Sequence, residues 1–207
     1  MAGTKAAALD DWAARSSRAF VRFDYGGCGE SGGAFEDQSL DDWLGDALAV
    51  IDATDGPLLL VGSSMGGWIM LLAALARPDR IAGLVGIAAA PDFTDWGFSQ
   101  DQKLALLRDG RIEEASDYGP PLVTTRGFWQ SGEAHRLLDG PIAIDCPVRV
   151  LHGQRDVDAP WEQSLRLTAA LRSADVQTIL IKDGDHRLSR PRDIALLIDT
   201  IESLPEL

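Results

Sequence analysis

Leu58-Leu59-Leu60-Val61-Gly62-Ser63-Ser64-Met65-Gly66-Gly67-Trp68 is apolar at first, turns abruptly small and polar, and then becomes apolar again as far as Ala76. An apolar run of strand length followed by a longer apolar run predicts a buried strand, Leu58 to Gly62, feeding at once into a helix, Met65 to Ala76. The turn between them reads G-x-S-x-G. Small residues two before and two after Ser64 let the chain reverse sharply, so that Ser64 stands strained and exposed at the strand's carboxyl end. The backbone N–H of Met65, at the helix N-terminus, then points to where an oxyanion would form.

Working outward, short apolar runs alternate with helical patterns. Strands are expected at Ala19 to Tyr25, Ala82 to Ala89, Val148 to His152 and Gln177 to Ile181. Helices are expected near Lys5 to Ser17, Leu40 to Ala53, Pro160 to Leu171 and Pro191 to Leu204. That alternation is the pattern of an α/β fold, a mostly parallel sheet with helices on both faces. Ser39 with Asp42 forms a capping box, Thr4 is a candidate N-cap, and Pro160 and Pro191 suit first helical positions. No linker divides the chain, so residues 1–207 are expected to form one domain.

Residues 91–147 break the alternation. They carry a helical piece at Gln102 to Arg108, a break at Pro120-Pro121, and Trp96, Phe98, Phe128 and Trp129 among polar residues. An insertion of this length is too long for a plain connection, so a lid or a satellite packing unit is expected. Its aromatic residues would either cover an apolar pocket or pack against the sheet edge.

Composition limits the function classes. The 207 residues carry 19 Lys and Arg against 32 Asp and Glu, a net charge of -13, which repels a phosphate backbone and argues against a nucleic-acid partner. No apolar stretch approaches the ~20 residues of a membrane-spanning helix, and the first residues lack the apolar core of a signal peptide. The expected address is therefore cytoplasmic. Two cysteines, Cys28 and Cys146, are too few for a disulfide framework and are expected to stay reduced.

A serine nucleophile needs a base and an acid that orients the base. Of the three histidines, His135 lies in the insertion and reads as a solvated surface residue. His152 ends a strand and reads as support for a turn. His186, in Asp183-Gly184-Asp185-His186 after the last strand, is the best base. Asp156, in the loop after the strand Val148 to His152, is the best acid, with Asp158, Asp183 and Asp185 as competitors. Asp158 is expected to cap the helix beginning at Pro160 instead. Ser64, Asp156, His186 is one of the chain orders in which such triads occur, and all three loops lie at the same edge of the sheet.

Gly27-Cys28-Gly29-Glu30-Ser31-Gly32 also matches G-x-G-x-x-G after an expected strand, which raises a dinucleotide-binding module. The next helix starts too far on for a pyrophosphate to meet its N-terminus. A flexible loop of small residues fits better.

The chain resembles the α/β-hydrolase group that contains mitochondrial acyl-protein thioesterases, also active as mycophenolic acid acyl-glucuronide esterases, and their bacterial relatives. The resemblance rests on Gly3-Thr4-Lys5-Ala6, Arg22-Phe23-Asp24-Tyr25, Gly62-Ser63-Ser64-Met65-Gly66-Gly67-Trp68, Ala76-Arg77-Pro78, Leu151-His152-Gly153, Pro160-Trp161 and Asp185-His186-Arg187. It implies Ser64 as nucleophile, Asp156 as acid, His186 as base and Met65 as oxyanion donor, with no metal or organic cofactor. It also implies that the chain is N-terminally truncated. In the group, a strand and a glycine-containing loop precede the segment matching Met1 to Lys5 and supply a second oxyanion amide. A strand-wide slot is therefore expected between Ala19–Tyr25 and Leu58–Gly62.

The expected function is a serine hydrolase of acyl esters or thioesters, acting on a small-molecule or acylated-protein substrate. The other readings are a hydrolase-fold protein that binds without turnover and, behind it, the dinucleotide module. The acyl group, leaving group and oligomeric state are not fixed by the sequence.

Overall fold

The computed structural model of the chain describes residues 2–114 and 121–204. Four parallel strands, β1 (Leu58–Ser63), β2 (Ile81–Ile87), β5 (Val148–Gly153) and β6 (Val176–Ile181), form the main sheet in the order β1-β2-β5-β6. A short hairpin of β3 (Arg111–Glu114) and β4 (Leu122–Thr125) forms a second sheet between β2 and β5 in the chain. The helices are α1 (Thr4–Arg15), α2 (Leu40–Asp52), α3 (Met65–Ala76), α4 (Phe93–Trp96), α5 (Gln100–Asp109), α6 (Arg126–Ala134), α7 (Glu162–Ala170) and α8 (Pro191–Glu202).

Both faces of the sheet are covered. Leu71, Leu84, Val148, Val150 and Leu167 pack into one apolar cluster, while Leu9 and Trp12 of α1 with Leu197 and Ile201 of α8 bury Val85 and Leu151 on the other. A third cluster joins Trp43 of α2 to Trp68 and Ile69 of α3. Burial on both faces is why these strands read as continuous apolar runs. Cys28 and Cys146 are both free thiols.

The capping box at Ser39 and Asp42 is present, and Pro191 occupies the first turn of α8. Four expectations need correction. Gly3 rather than Thr4 precedes α1, with no side-chain cap. Pro160 lies outside α7, whose N-cap is Trp161, so Asp158 caps no helix. The hairpin β3–β4 was not expected, and Pro120 of the expected Pro120-Pro121 break lies outside the described residues.

The fourth correction concerns Ala19 to Tyr25, which form no strand. A strand exists only against a partner, and among the described residues β1 pairs with β2 alone. The segment is held by side chains instead: Phe20 packs against the cluster that holds Leu9, Trp12 and Val85, and Phe23 and Tyr25 join the cluster around Trp43. The sheet thus does not close across the expected gap.

Candidate active site

Parallel strands point their carboxyl ends the same way, so the loops after β1, β5 and β6 meet at one edge. Ser64 follows β1 with φ 55° and ψ -123°, the backbone conformation of the first central position of a type II′ turn, which glycine ordinarily fills. Three hydrogen bonds hold a serine there. Ser64 N–H donates to Ile87 O (2.9 Å), and Ser64 O accepts from Gly67 N–H (2.9 Å) and Ala90 N–H (3.1 Å). The elbow needs glycine at Gly62 and Gly67. A Cβ on Gly62 would lie 2.4 Å from Gly66 O, and one on Gly67 would lie 2.5 Å from the Ala89 Cβ. Gly66, the last position of the motif, faces open space. The small residue two after Ser64 is therefore not what permits the turn; the one three after it is.

Ser64 Oγ lies 2.9 Å from His186 Nε2, and His186 Nδ1 lies 2.7 Å from Asp156 Oδ2. The carboxylate only accepts, so Nδ1 carries the proton and Nε2 is left to accept from the serine hydroxyl. Asp156 is fully enclosed as a side chain. Its Oδ1 accepts from the backbone N–H groups of Asp158 and Ala159, both at 2.9 Å, and its Oδ2 also accepts from His152 Nε2 at 2.9 Å. Burial pushes the Asp156 carboxyl up, but the hydrogen bonds from His152, His186 and Ala159 outweigh it and hold the group far below the usual carboxylate range. Met65 opens α3, and the first amides of a helix have no partner within it, which leaves its N–H able to face the pocket.

The competing acids are engaged elsewhere. Asp183 pairs with Arg190 and Arg192, and Asp185 accepts from Leu188 N–H at 2.9 Å. Asp158 is exposed and lines the pocket mouth. Asp156, Asp158 and His186 lie close enough together to suggest metal ligands. Both Asp156 oxygens and His186 Nδ1 are already committed to hydrogen bonds, so the cluster does not fit a metal ion.

His135 is half-buried rather than solvated. Its Nε2 lies 2.7 Å from Asp41 Oδ1, and Ser131 Oγ donates to the other oxygen of the same carboxylate. It joins the end of α6 to the start of α2. His152, expected to support a turn, is fully buried between Asp156 and Ser164.

Ser64, Met65 and His186 open onto a cavity of about 540 Å³, roofed by the segment between β2 and β5. Of the four aromatic residues expected there, Trp96, Phe98 and Phe128 line it. Trp129 does not; its Nε1–H donates to Thr94 O at 3.1 Å and ties α6 to α4. Phe35, Trp43 and Phe93 complete the apolar wall. Trp43 was legible only as a core position of an amphipathic helix, and Phe35 carried no periodic signal. Gly27 to Gly32 form a turn closed on itself, with Gly27 N–H donating to Gly32 O, and α2 begins only at Leu40. The loop does not lead directly into an α-helix N-terminus, the arrangement on which a dinucleotide site depends.

Residues 3–111 match the family model described as serine aminopeptidase, S33. The human palmitoyl-protein thioesterase ABHD10, mitochondrial, is 40% identical over 210 residues, covering 99% of this chain and 69% of that protein. A crystal structure from Agrobacterium vitis S4 superposes with a TM-score of 0.93 at 42% identity, covering 100% of this chain and 84% of the other. Mouse alpha/beta hydrolase domain-containing protein 10 superposes with a TM-score of 0.90 at 38% identity, covering 98% and 83%. On these likenesses the chain belongs to the α/β-hydrolase family of serine hydrolases, in the group of the ABHD10 thioesterases.

Proposed function

We propose that the chain hydrolyses acyl thioesters and esters with Ser64 as nucleophile, His186 as base and Asp156 as the acid that orients it. The observation that carries this reading is the continuous relay Ser64–His186–Asp156, at 2.9 and 2.7 Å, opening onto an aromatic-walled cavity. Ser64 Oγ attacks the acyl carbonyl while His186 Nε2 takes its proton. The Met65 N–H donates to the developing oxyanion, and the imidazolium returns the proton to the leaving thiol or alcohol. Water, deprotonated by His186, then releases the acid from Ser64. The relatives named as palmitoyl-protein thioesterases support a long acyl chain on a protein thiol as substrate, and a cavity of about 540 Å³ is in the size range of small-molecule sites.

The test is a fluorophosphonate probe, which reacts only with an activated serine, followed by a hydrolysis panel varying acyl length with thioester and oxygen-ester leaving groups. Labelling lost in Ser64→Ala supports the reading. A chain that labels equally with and without Ser64 carries its reactive serine elsewhere, and one that does not label at all while binding acylated peptide is a binding protein instead. Among the described residues no helix is long and apolar enough to cross a membrane. The relatives are named as mitochondrial; the cytoplasmic address read from the sequence is tested by fractionating the source cells.

A further inference from the structure

A second imidazole shares the carboxylate oxygen that orients the base. His152 is completely buried at the end of β5, and its Nε2 lies 2.9 Å from Asp156 Oδ2 and 3.1 Å from Ala159 O. Both neighbours are acceptors, so Nε2 must carry the proton. On the other side of the ring, Nδ1 lies 2.6 Å from the hydroxyl of Ser164, itself fully buried in α7. The hydroxyl can donate to Nδ1, which completes a neutral ring with its single N–H aimed at Asp156. The amides of Asp158 and Ala159 hold only Oδ1. Among the described residues, the one other hydrogen bond to Oδ2 comes from His186, the group that has to be oriented.

We infer that His152, locked by Ser164, is a positioning residue for the reaction: it fixes the Asp156 oxygen that receives His186 Nδ1–H and draws charge from that oxygen. This rests on the triad reading above. Its consequence has a definite sign. With the His152 donor gone, Oδ2 carries more negative charge, holds the imidazolium form of His186 more strongly, and so moves the acid limb of the kcat/KM profile to higher pH. Loss of the anchor at Oδ2, with only Oδ1 still held, also lowers kcat, while the acyl pocket, which His152 does not line, leaves KM nearly unchanged. The other charged groups around the cluster are Asp158 and Arg155 on the same loop, Glu162 at the start of α7 and Asp185 before His186. Lys5 of α1 also stands close, donating to Arg187 O under the field of Asp185. None of them is altered in the variants below.

The experiment measures kcat, KM and the pH profile for a soluble acyl thioester in the full chain and in His152→Leu, His152→Gln and Ser164→Ala, with Ser64→Ala as control. For His152→Leu the expected result is a loss of kcat of about tenfold or more, the scale of one hydrogen bond to a charged group, with KM within about twofold and the acid limb displaced upward. His152→Gln, which keeps an N–H donor at the same reach, should recover most of the loss. Ser164→Ala should shift the limb in the same direction by less. If His152→Leu does not fold, the Gln and Ser164 variants decide: an unchanged profile and kcat in both overturns the inference. So does a folded His152→Leu with an unmoved limb, or a His152→Gln as impaired as His152→Leu. Hydrolysis that survives Ser64→Ala overturns the triad reading and the inference with it. Hydrolysis lost in Ser64→Ala but untouched in His152→Leu overturns the inference alone.

Discussion

Residues 62–67 keep their shape through backbone contacts: Ser64 O accepts from Gly67 and Ala90, and Gly62 and Gly67 leave room for the neighbouring main chain. The segment around Phe93 to Asp139 is tied together largely by polar side-chain pairs, most of them within the segment itself and one reaching α2. Thr94 Oγ1 donates to Glu133 at 2.8 Å, Lys103 pairs with Asp95, Arg136 with Asp95, Glu133 and Asp139, and His135 with Asp41. At Gly62 and Gly67 the elbow has no room for a side chain. On the proposed function, the chemistry lies in the elbow and substrate choice in the cap, the segment over the cavity.

The largest effects should come from the rigid part. Ser64→Ala or His186→Ala should reduce kcat by about a millionfold in single-turnover assays, the scale seen when a triad member is removed. Loss of less than about tenfold in either would break the comparison at once, because the fixed edge of the sheet would then not be where turnover is decided. Asp156→Asn should cost about 10⁴-fold, and Asp158→Asn almost nothing. Hydrogen bonds hold the Asp156 carboxyl low, so its charged form is lost only in strong acid. The stability it contributes is present above the ordinary carboxylate range and should be constant between about pH 5 and 8. A step in wild-type melting temperature over that range that Asp156→Asn abolishes would contradict this.

Glycine substitutions sharpen the contrast within the elbow. Gly67→Ala presses a methyl into Ala89 and should lower stability by about 1 to 3 kcal/mol in urea melts, whereas Gly66→Ala should stay within about 0.5 kcal/mol. The reverse order would restore the expectation that the second glycine of the motif makes the turn. In the cap, Phe128→Ala should weaken turnover of long acyl chains by roughly tenfold, as expected for about 1 to 2 kcal/mol of lost apolar contact, and leave short ones alone. An equal loss for an acetyl and a long-chain substrate would mean that the cap shapes the chemistry too. The smallest effect is expected at Asp41→Asn, an exposed partner of His135, at under about 1 kcal/mol and diminished further by salt.

The same division governs what could be read from the sequence. The elbow, α3 over Met65–Ala76 and the capping box at Ser39 were legible because each is decided by neighbours within a few residues. The meeting of Ser64, Asp156 and His186 was legible through one step more, the common direction of parallel strands. The hairpin was not. Arg-Ile-Glu-Glu and Leu-Val-Thr-Thr are four-residue strands without a shared apolar face, and they exist through their mutual ladder. Ala19–Tyr25 failed in the opposite sense, with a strand's pattern but no neighbouring strand to bond. His135 was misjudged because its partner, Asp41, is set by tertiary packing, which leaves no periodic trace; His152 does brace the turn after its strand, through Asp156 and Ala159. Asp158 was assigned to a cap because its spacing to Pro160 allowed it, whereas the helix starts two residues later, at Glu162.

The backbone at Ser64 has a further consequence, for evolution rather than for chemistry. A side chain held at φ 55° and ψ -123° carries a conformational penalty of about 1 to 3 kcal/mol, which glycine would not incur. Selection for stability alone would replace Ser64 with glycine, and a Ser64→Gly chain should melt above Ser64→Ala while both are inert. On the proposed role of Ser64, its position is a place where fitness and folding oppose each other. A lineage released from the need for turnover would be expected to lose its serine there before it lost the glycines at 62 and 67, which the fold itself requires.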